Sequence, residues 1–154
     1  MRESETGAAR LGGDHREIDG LFETVFGALA RSDAAAAHEA MDRAWMRLAV
    51  HIRAEHKVLF PALLPGHPGL ADLIQELRAD HDVFMETLAR LLGDLRKPGA
   101  DCAAIAASFG GVDKRLQTHN EREETQVYLL AEEDAGLATR LAAELAFLPD
   151  RYTR

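Results

Sequence analysis

The sequence predicts an all-α protein, an up-down-up-down four-helix bundle with a short additional helix at its C-terminal end. Four segments place apolar residues at steps of three or four, and no segment sustains an alternation of apolar and polar residues. Aspartate caps and loops containing proline and glycine separate these segments. The second half of the chain also repeats the pattern of the first. Long amphipathic helices joined by short loops favour a bundle.

Composition and charge restrict the classes of function. With 154 residues, 47% of them hydrophobic, the chain is long enough for one domain with a core. A net charge of −8, with acidic residues spread along the chain, argues against nucleic-acid and anionic-membrane partners. Cys102 is the only cysteine, so there is no internal disulfide and no thiolate metal cluster. Without an apolar leader or an apolar run of membrane length, we expect a cytoplasmic protein.

The first two helices have recognisable boundaries. We interpret residues 1–12 as a flexible lead-in and residues 13–150 as the bundle domain. The second helix is expected to begin at a Ser32-Asp33 cap and to end at Pro61 and the PGHPG loop at 65–69. The first apolar stripe consists of Leu11, His15, Ile18, Phe22, Val25 and Leu29. The second consists of Met41, Ala44, Leu48, His51, Glu55, Leu59 and Ala62.

The remaining helices follow the same rules. KPGAD at 97–101 closes the third helix, and Asp101 caps the fourth. A fifth helix is expected over 137–148, before Pro149, and its apolar face can either cover the bundle or form a homodimer. The third stripe consists of Leu70, Leu73, Leu77, His81, Phe84, Leu88, Leu91 and Leu95. The fourth consists of Val112, Leu116, His119, Glu123, Val127 and Leu130.

The repeat within the chain predicts internal symmetry. DHREIDGLFETVFGALA at 14–30 resembles DHDVFMETLARLLGDLR at 80–96, and HIRAEHKVLF at 51–60 resembles HNEREETQVY at 119–128. The two pairs of segments are offset along the chain by nearly the same amount. We therefore expect two copies of one helical hairpin, related by a pseudo-twofold axis. A site on that axis would be built twice from the same residue types.

Six polar residues interrupt the apolar stripes: His15, His51, Glu55, His81, His119 and Glu123. The four histidines lie at closely similar distances along the chain from the loops that join their hairpins. At 1.5 Å rise per residue, all four histidines stand in one layer, roughly 27 Å from those loops. Each helix thus contributes one imidazole, and the second and fourth helices add a carboxylate one turn further along.

This polar layer is difficult to explain as packing. A buried carboxylate must be paired, protonated or metal-bound, because losing its hydration costs several kcal/mol. No lysine or arginine lies on a stripe at this level. Divalent cations would offset the carboxylates and use the imidazole nitrogens. The i,i+4 steps His51/Glu55 and His119/Glu123 allow each pair to reach a common metal.

Other polar residues fit simpler interpretations. His38 should face solvent, about 220° around the helix from His51. His56 points about 140° from His51, which favours a surface position or an inter-helix contact over metal ligation. Asp19, four residues after His15, is a candidate outer-shell partner of the site.

These residues resemble the haemerythrin-like (HHE cation-binding) domain family over about residues 12–131. The resemblance lies in DH at 14–15, HIRAE at 51–55 followed by LFP, DH at 80–81 and HNERE at 119–123. It implies a four-helix bundle that holds two irons bridged by carboxylates and an oxygen atom. It further implies that Glu55 and Glu123 bridge both irons. His15 and His119 would then serve one iron, and His51 and His81 the other.

The chain departs from the oxygen-carrying members at two positions. They have a second histidine one turn after the third-helix histidine, where this chain has Met85. They also have a carboxylate at +5 in the last motif, here Glu124, whereas Glu123 at +4 lies on the stripe and mirrors Glu55. We therefore favour Glu123 as the bridge. Fewer histidines leave more open positions, which implies binding or sensing of O2 or NO under oxidative or nitrosative stress.

Several alternatives remain open. The same ligand types suit manganese or zinc as well as iron. A di-iron enzyme of peroxide or oxygen chemistry, or an iron donor for iron–sulfur-cluster repair, is the second hypothesis. Relatives with that repair role carry an N-terminal cysteine-pair domain, which this chain lacks, and no separate substrate pocket or general base is visible. A purely structural bundle would need a partner for each buried glutamate. Signalling would require a separate protein.

Overall fold

The structure is a computed structural model that describes residues 6–146, and all regular structure in that range is helical. The four long helices are α1 (Gly7–Ala30), α2 (Ala34–Ala54), α4 (Ala71–Leu95) and α5 (Cys102–Gln126). A π-helical turn (Glu55–Leu59), α3 (Phe60–Leu63) and a 3-10 turn (Pro68–Leu70) connect α2 to α4. A 3-10 segment (Tyr128–Glu133) and α6 (Ala135–Leu145) follow α5.

The long helices form the predicted bundle. Helix α1 packs against α2 and α5, and α4 packs against the same two helices from the other side. Asp33 and Asp101, which occupy equivalent positions in the two repeats, begin α2 and α5 by accepting hydrogen bonds from backbone N–H groups three residues ahead. The all-α bundle with an extra C-terminal helix is therefore confirmed. Within residues 6–146, no helix combines the length and the apolar character needed to cross a membrane.

Helix α1 begins earlier than the sequence suggested. The predicted lead-in over 1–12 becomes helical at Gly7, where the Thr6 side chain accepts a hydrogen bond from the Ala9 N–H. Leu11 is fully buried, and the backbone of Gly7 lies close to the Leu141 side chain in α6. The early start follows from packing, because α6 covers this end of the bundle. Residues 1–5 lie outside the described range.

The expectation that Pro61 ends the second helix is wrong. The chain stays helical to Leu63, because a π-helical turn precedes the proline. In that turn the Phe60 N–H bonds to the Glu55 carbonyl, five residues back. Proline has no N–H to donate, and the wider turn accommodates the missing hydrogen bond. The helix ends just before the PGHPG loop at 65–69, as that loop predicted.

Helix α6 covers one end of the bundle. It begins at Ala135 behind an Asp134 cap, two residues before the predicted start, while Leu148 and Pro149 lie outside the described residues. Its apolar face, formed by Leu137, Leu141 and Leu145, is buried against the body of the protein. Of the two uses expected for this face, covering the bundle is the one that the structure contains.

Two apolar clusters fill the core. One includes Phe22, Phe84 and Phe109 and lies toward the loops that join each hairpin. The other includes Leu59 and Leu77 and lies under α6. In every long helix the predicted polar residues fall between the two clusters. The fold therefore holds a polar layer between two dry regions.

Candidate metal centre

The six predicted polar residues come together in the core. None of His15, His51, Glu55, His81, His119 and Glu123 is more than 3% exposed. The Nε2 atoms of His15 and His51 are 3.1 Å apart, and those of His81 and His119 are also 3.1 Å apart. The single histidine layer expected from helix lengths is therefore present.

The layer divides into two groups whose potential ligand atoms lie within 4.8 Å of one another. The first group consists of His15, His51 and Glu123. The second consists of Glu55, His81, His119 and Glu123. These groups differ from the pairing implied by the resemblance, because each group takes both its histidines from one hairpin, either α1–α2 or α4–α5. His15 meets His51 across the α1–α2 hairpin, and His81 meets His119 across the α4–α5 hairpin.

Both glutamates reach across the two groups. Glu55 Oε1 lies 3.1 Å from His81 Nε2, while its Oε2 lies 3.6 Å from His51 Nε2. Glu123 Oε1 lies 3.1 Å from His119 Nε2 and 3.4 Å from His15 Nε2. Each carboxylate is thus placed between the two histidine pairs. This position is what a bridging carboxylate requires.

Carboxylates behind the histidines orient their rings. The Nδ1 of His51 lies 2.8 Å from Asp14 Oδ2, and the Nδ1 of His119 lies 3.0 Å from Asp80 Oδ2. An ionised carboxylate can only accept, so each Nδ1–H donates, which leaves the Nε2 lone pair of a neutral ring facing the core. Sequence reasoning missed both aspartates as site residues. The signal was the Asp-His pair repeated at 14–15 and 80–81.

Two arginines hold these aspartates ionised. Arg47 lies 2.6 Å from Asp14, and Arg115, at the equivalent position of the other repeat, lies 2.8 Å from Asp80. Burial raises the pKa of Asp14, but its contacts with His51 and Arg47 outweigh burial and lower that pKa overall. The same balance, with His119 and Arg115, lowers the pKa of Asp80. Both carboxylates therefore remain acceptors at neutral pH.

The other two histidines have different partners. His15 Nδ1 lies 3.1 Å from Glu124 Oε1, whereas His81 Nδ1 lies 2.8 Å from His56 Nε2. Glu124 is 47% exposed and stands outside the layer, whereas Glu123 is fully buried between the groups, where it was predicted. The inter-helix contact expected for His56 is present.

Two further expectations have opposite outcomes. The outer-shell role suggested for Asp19 is wrong, because its carboxylate accepts a hydrogen bond from Gln117 at an exposed position. His38 accepts a hydrogen bond from Arg96 at an exposed position, which confirms its surface placement.

Tyr128 is the inner residue that sequence reasoning missed. Its hydroxyl lies 2.8 Å from Glu55 Oε2 and 3.1 Å from Glu123 Oε1. In a regular helix Tyr128 would point about 140° away from Glu123. Helix α5 ends at Gln126, however, and the 3-10 segment turns the tyrosine back into the core. Helical spacing therefore did not mark Tyr128 as a site residue. The internal repeat did not mark it either, because the position equivalent to Tyr128 in the first repeat is an apolar residue, Phe60.

The electrostatics of the layer call for a cation. Glu55 Oε1 and Glu123 Oε2 are fully buried, and neither accepts a hydrogen bond. Among the described residues, no lysine or arginine forms an ion pair with either glutamate. Burial lowers the pKa of His51, but Glu55 and Asp14 outweigh it and raise that pKa to about 10. Without a metal, protons must therefore supply the positive charge that the carboxylates require.

The chain matches the Hemerythrin HHE cation binding domain over residues 6–131, a range that includes the four long helices and the polar layer. The chain belongs to this family. Comparison with curated proteins and with solved structures gives no match. Membership of the HHE family and the buried histidine–glutamate layer together indicate a metal-binding helical bundle. The donor set fits metal ions, because unpaired carboxylate oxygens and inward-facing imidazole nitrogens meet in one buried place.

Proposed function

We propose that this HHE domain is a non-haem di-iron protein that binds or senses O2 or NO in oxidative or nitrosative stress. The observation that carries the proposal is the position of Glu55 and Glu123, each within 3.6 Å of a histidine from both pairs. The proposed metal residues are His15, His51, Glu55, His81, His119 and Glu123.

Two metals suit this arrangement better than one. Each histidine pair has its own neighbouring carboxylate oxygens, and Glu123 belongs to both groups. Two divalent ions would carry more positive charge than the negative charge of Glu55 and Glu123 together. The outer carboxylates of Asp14 and Asp80 would offset part of this excess positive charge. Imidazole and carboxylate without thiolate suit iron, and manganese or zinc can substitute in a purified sample. A two-iron site would supply a change of oxidation state and a place for a diatomic ligand.

The surroundings of the layer favour a small ligand. The apolar clusters on either side exclude bulk water from the histidines and the glutamates. An open cavity of about 380 Å³ reaches the layer from one side, where His119 forms part of its wall. Its other lining residues include Lys114, Arg115 and Arg122. His119 itself is only 2% exposed, so an organic substrate in this cavity would not reach the histidine and glutamate layer.

Metal analysis with absorption spectroscopy tests the proposal. After expression with added iron, we expect two irons per chain and a spectrum that changes on reduction and on exposure to O2 or NO. Glu55→Ala should lose metal and unfold at lower temperature, because metal binding is linked to folding. Glu39→Ala is the matched control, since Glu39 pairs with Arg43 on the surface.

Two outcomes would contradict the proposal. Protein that contains no metal after iron-supplemented expression would exclude a di-iron centre. Turnover of peroxide far above that of free iron would instead indicate an enzyme. Iron loading with reversible binding of O2 or NO, and without such turnover, is the expected result.

A further inference from the structure

We propose that the Tyr128 hydroxyl oxygen is a metal ligand in the half of the centre that contains His15 and His51. The inference rests on the two-metal site proposed above and adds a ligand to one side of it. The two metals would then differ chemically, although the chain repeats itself around them. The other half would keep the position that an external ligand can occupy.

The distances around Tyr128 are those between neighbouring ligands of one metal. Ligand atoms that lie about 2.1 Å from a metal and at right angles to each other are about 3.0 Å apart. The Tyr128 hydroxyl oxygen lies 3.0 Å from His15 Nε2 and 3.0 Å from His51 Nε2. It also lies 3.1 Å from Glu123 Oε1. The two histidine nitrogens are themselves 3.1 Å apart. These atoms therefore form a compact set around a common centre.

Hydrogen bonds satisfy only some of the same contacts at one time. A phenol has one hydrogen, yet the Tyr128 oxygen faces two carboxylate oxygens and two imidazole nitrogens. The Nδ1–H groups of His15 and His51 already donate to Glu124 and Asp14. In the neutral form that binds a metal, the two Nε2 atoms have lone pairs directed at the tyrosine, whereas in the metal-free protein the raised pKa of His51 lets its Nε2–H donate to the Tyr128 oxygen. A cation shared by these atoms satisfies them together.

The metal-free protein keeps this phenol protonated. Burial raises the pKa of Tyr128, and the charges of Glu123 and Glu55 raise it further. When the metal binds, an oxygen–metal bond replaces the O–H bond, and the proton is released to solvent as other ligand protons are. No oxidation or reduction accompanies this exchange.

The opposite half of the centre has no equivalent ligand among the described residues. Phe60 occupies the position that corresponds to Tyr128 in the first repeat, and its ring stacks on His81 at 6.4 Å between centroids. A phenyl ring has no atom that can bind the metal. If Glu55 and Glu123 each bridge both metals, as proposed above, the half containing His81 and His119 has two histidines and two carboxylates, one ligand fewer than the half with Tyr128. The open cavity beside His119 lies next to this half, which is where we place binding of the diatomic ligand.

The test is the spectrum of the iron(III)-loaded protein. Phenolate bound to iron(III) gives a charge-transfer band in the visible region, which neutral phenol does not. The chain has two tyrosines, so Tyr152→Phe leaves Tyr128 as the only one. We expect this variant to keep the band, and resonance Raman excitation within the band should show tyrosine ring modes that shift on ring deuteration. Tyr128→Phe should lose the band and still bind iron.

Iron analysis of the same samples separates the possible outcomes. Two irons per chain without tyrosine ring modes would overturn ligation by Tyr128 and leave the two-iron site intact. Absence of bound iron would overturn both. The Raman measurement on Tyr152→Phe decides the question even if Tyr128→Phe does not fold, because that variant retains Tyr128 and all six proposed metal residues.

Discussion

The half of the centre built on His15 and His51 has the same outer support as the half built on His81 and His119, but in a drier setting. In the first half, Asp14 is 2% exposed at its side chain and its partner Arg47 is 20% exposed. In the second half, Asp80 is 15% exposed and its partner arginine is 52% exposed. The two aspartate–arginine pairs are therefore buried to different depths. Because ion pairs are stronger where water is excluded, we expect the Asp14 pair to be the stronger of the two.

The halves also differ in the residues that follow each buried glutamate. The first position after the glutamate is His56 in one repeat and Glu124 in the other. The fifth position is Phe60 in one and Tyr128 in the other. Both differences fall where the helix leaves regular geometry, at the π-helical turn and at the end of α5. A duplicated hairpin thus keeps the inner residues constant, while the irregular turns give the two histidine pairs different surroundings.

The largest effect is expected from Glu123→Ala, because Glu123 is the residue that belongs to both ligand groups. Both metals should be lost, and the thermal midpoint should fall to that of the metal-free protein. Metal content per chain and a thermal melt measure this. Glu124→Ala is the adjacent control and should keep both metals, since Glu124 is half-exposed. Two metals retained in Glu123→Ala would show that Glu123 is not a bridge.

Single histidine variants should separate the two halves. We expect His51→Ala and His119→Ala each to bind one iron per chain instead of two. His51→Ala should also lose the visible band assigned to Tyr128, because the metal that it would lose is the one proposed to bind the tyrosine. The second should keep that band. Loss of both irons in both variants would mean that the halves load only as one unit.

The parts of this protein that the sequence predicted are those set by regular helices. Asp33 and Asp101 marked helix starts, and the six inner residues emerged because helical spacing placed them on apolar stripes. Periodicity gives the level and the face of a residue. It does not show which side chains meet across helices, so the pairing of His15 with His51 was not foreseen.

The predictions that failed concern features that regular helical spacing does not describe. Asp14 contacts a histidine on the neighbouring helix, which the spacing within its own helix does not show. Tyr128 lies beyond the end of α5, where helical spacing no longer applies. Proline usually ends a helix, so Pro61 was expected to do so. The π-helical turn that lets the helix continue has no recognised sequence signal. The start at Gly7 depended on cover from α6, a tertiary contact that no local pattern encodes.

Removing the outer carboxylates should weaken metal binding without abolishing it. Asp14→Asn and Asp80→Asn should each lower metal affinity by about 10–100-fold, because a neutral amide is a weaker acceptor for the histidine Nδ1–H than the carboxylate it replaces. The loss should be larger for Asp14, which is the more deeply buried of the two. Competition with a chelator measures both affinities. Asp19→Asn serves as the control, since Asp19 accepts its hydrogen bond from Gln117 at an exposed position. Equal affinities in all three variants would contradict an orienting role.

A last predicted effect concerns the pH dependence of the metal-free protein. The pKa of His51 rises from 6.5 to about 10 on folding, so protonated His51 stabilises the fold. This contribution is complete below pH 6.5 and declines as the pH rises toward 10. We expect the thermal midpoint of chelator-treated protein to fall over that range, by about 2–4 °C for each kcal/mol lost.

Asp14→Asn should reduce this decline more than Asp80→Asn does, because the Asp14 carboxylate is one of the groups that raise the His51 pKa. The metal-loaded protein should behave in the opposite way. Metal ligands must be deprotonated, so the gain in thermal midpoint on metal addition should increase with pH. A midpoint of the metal-free protein that stays constant to pH 10 would show that His51 is neutral there. In that case the buried pair Glu55 and Glu123 would have to carry the compensating protons themselves.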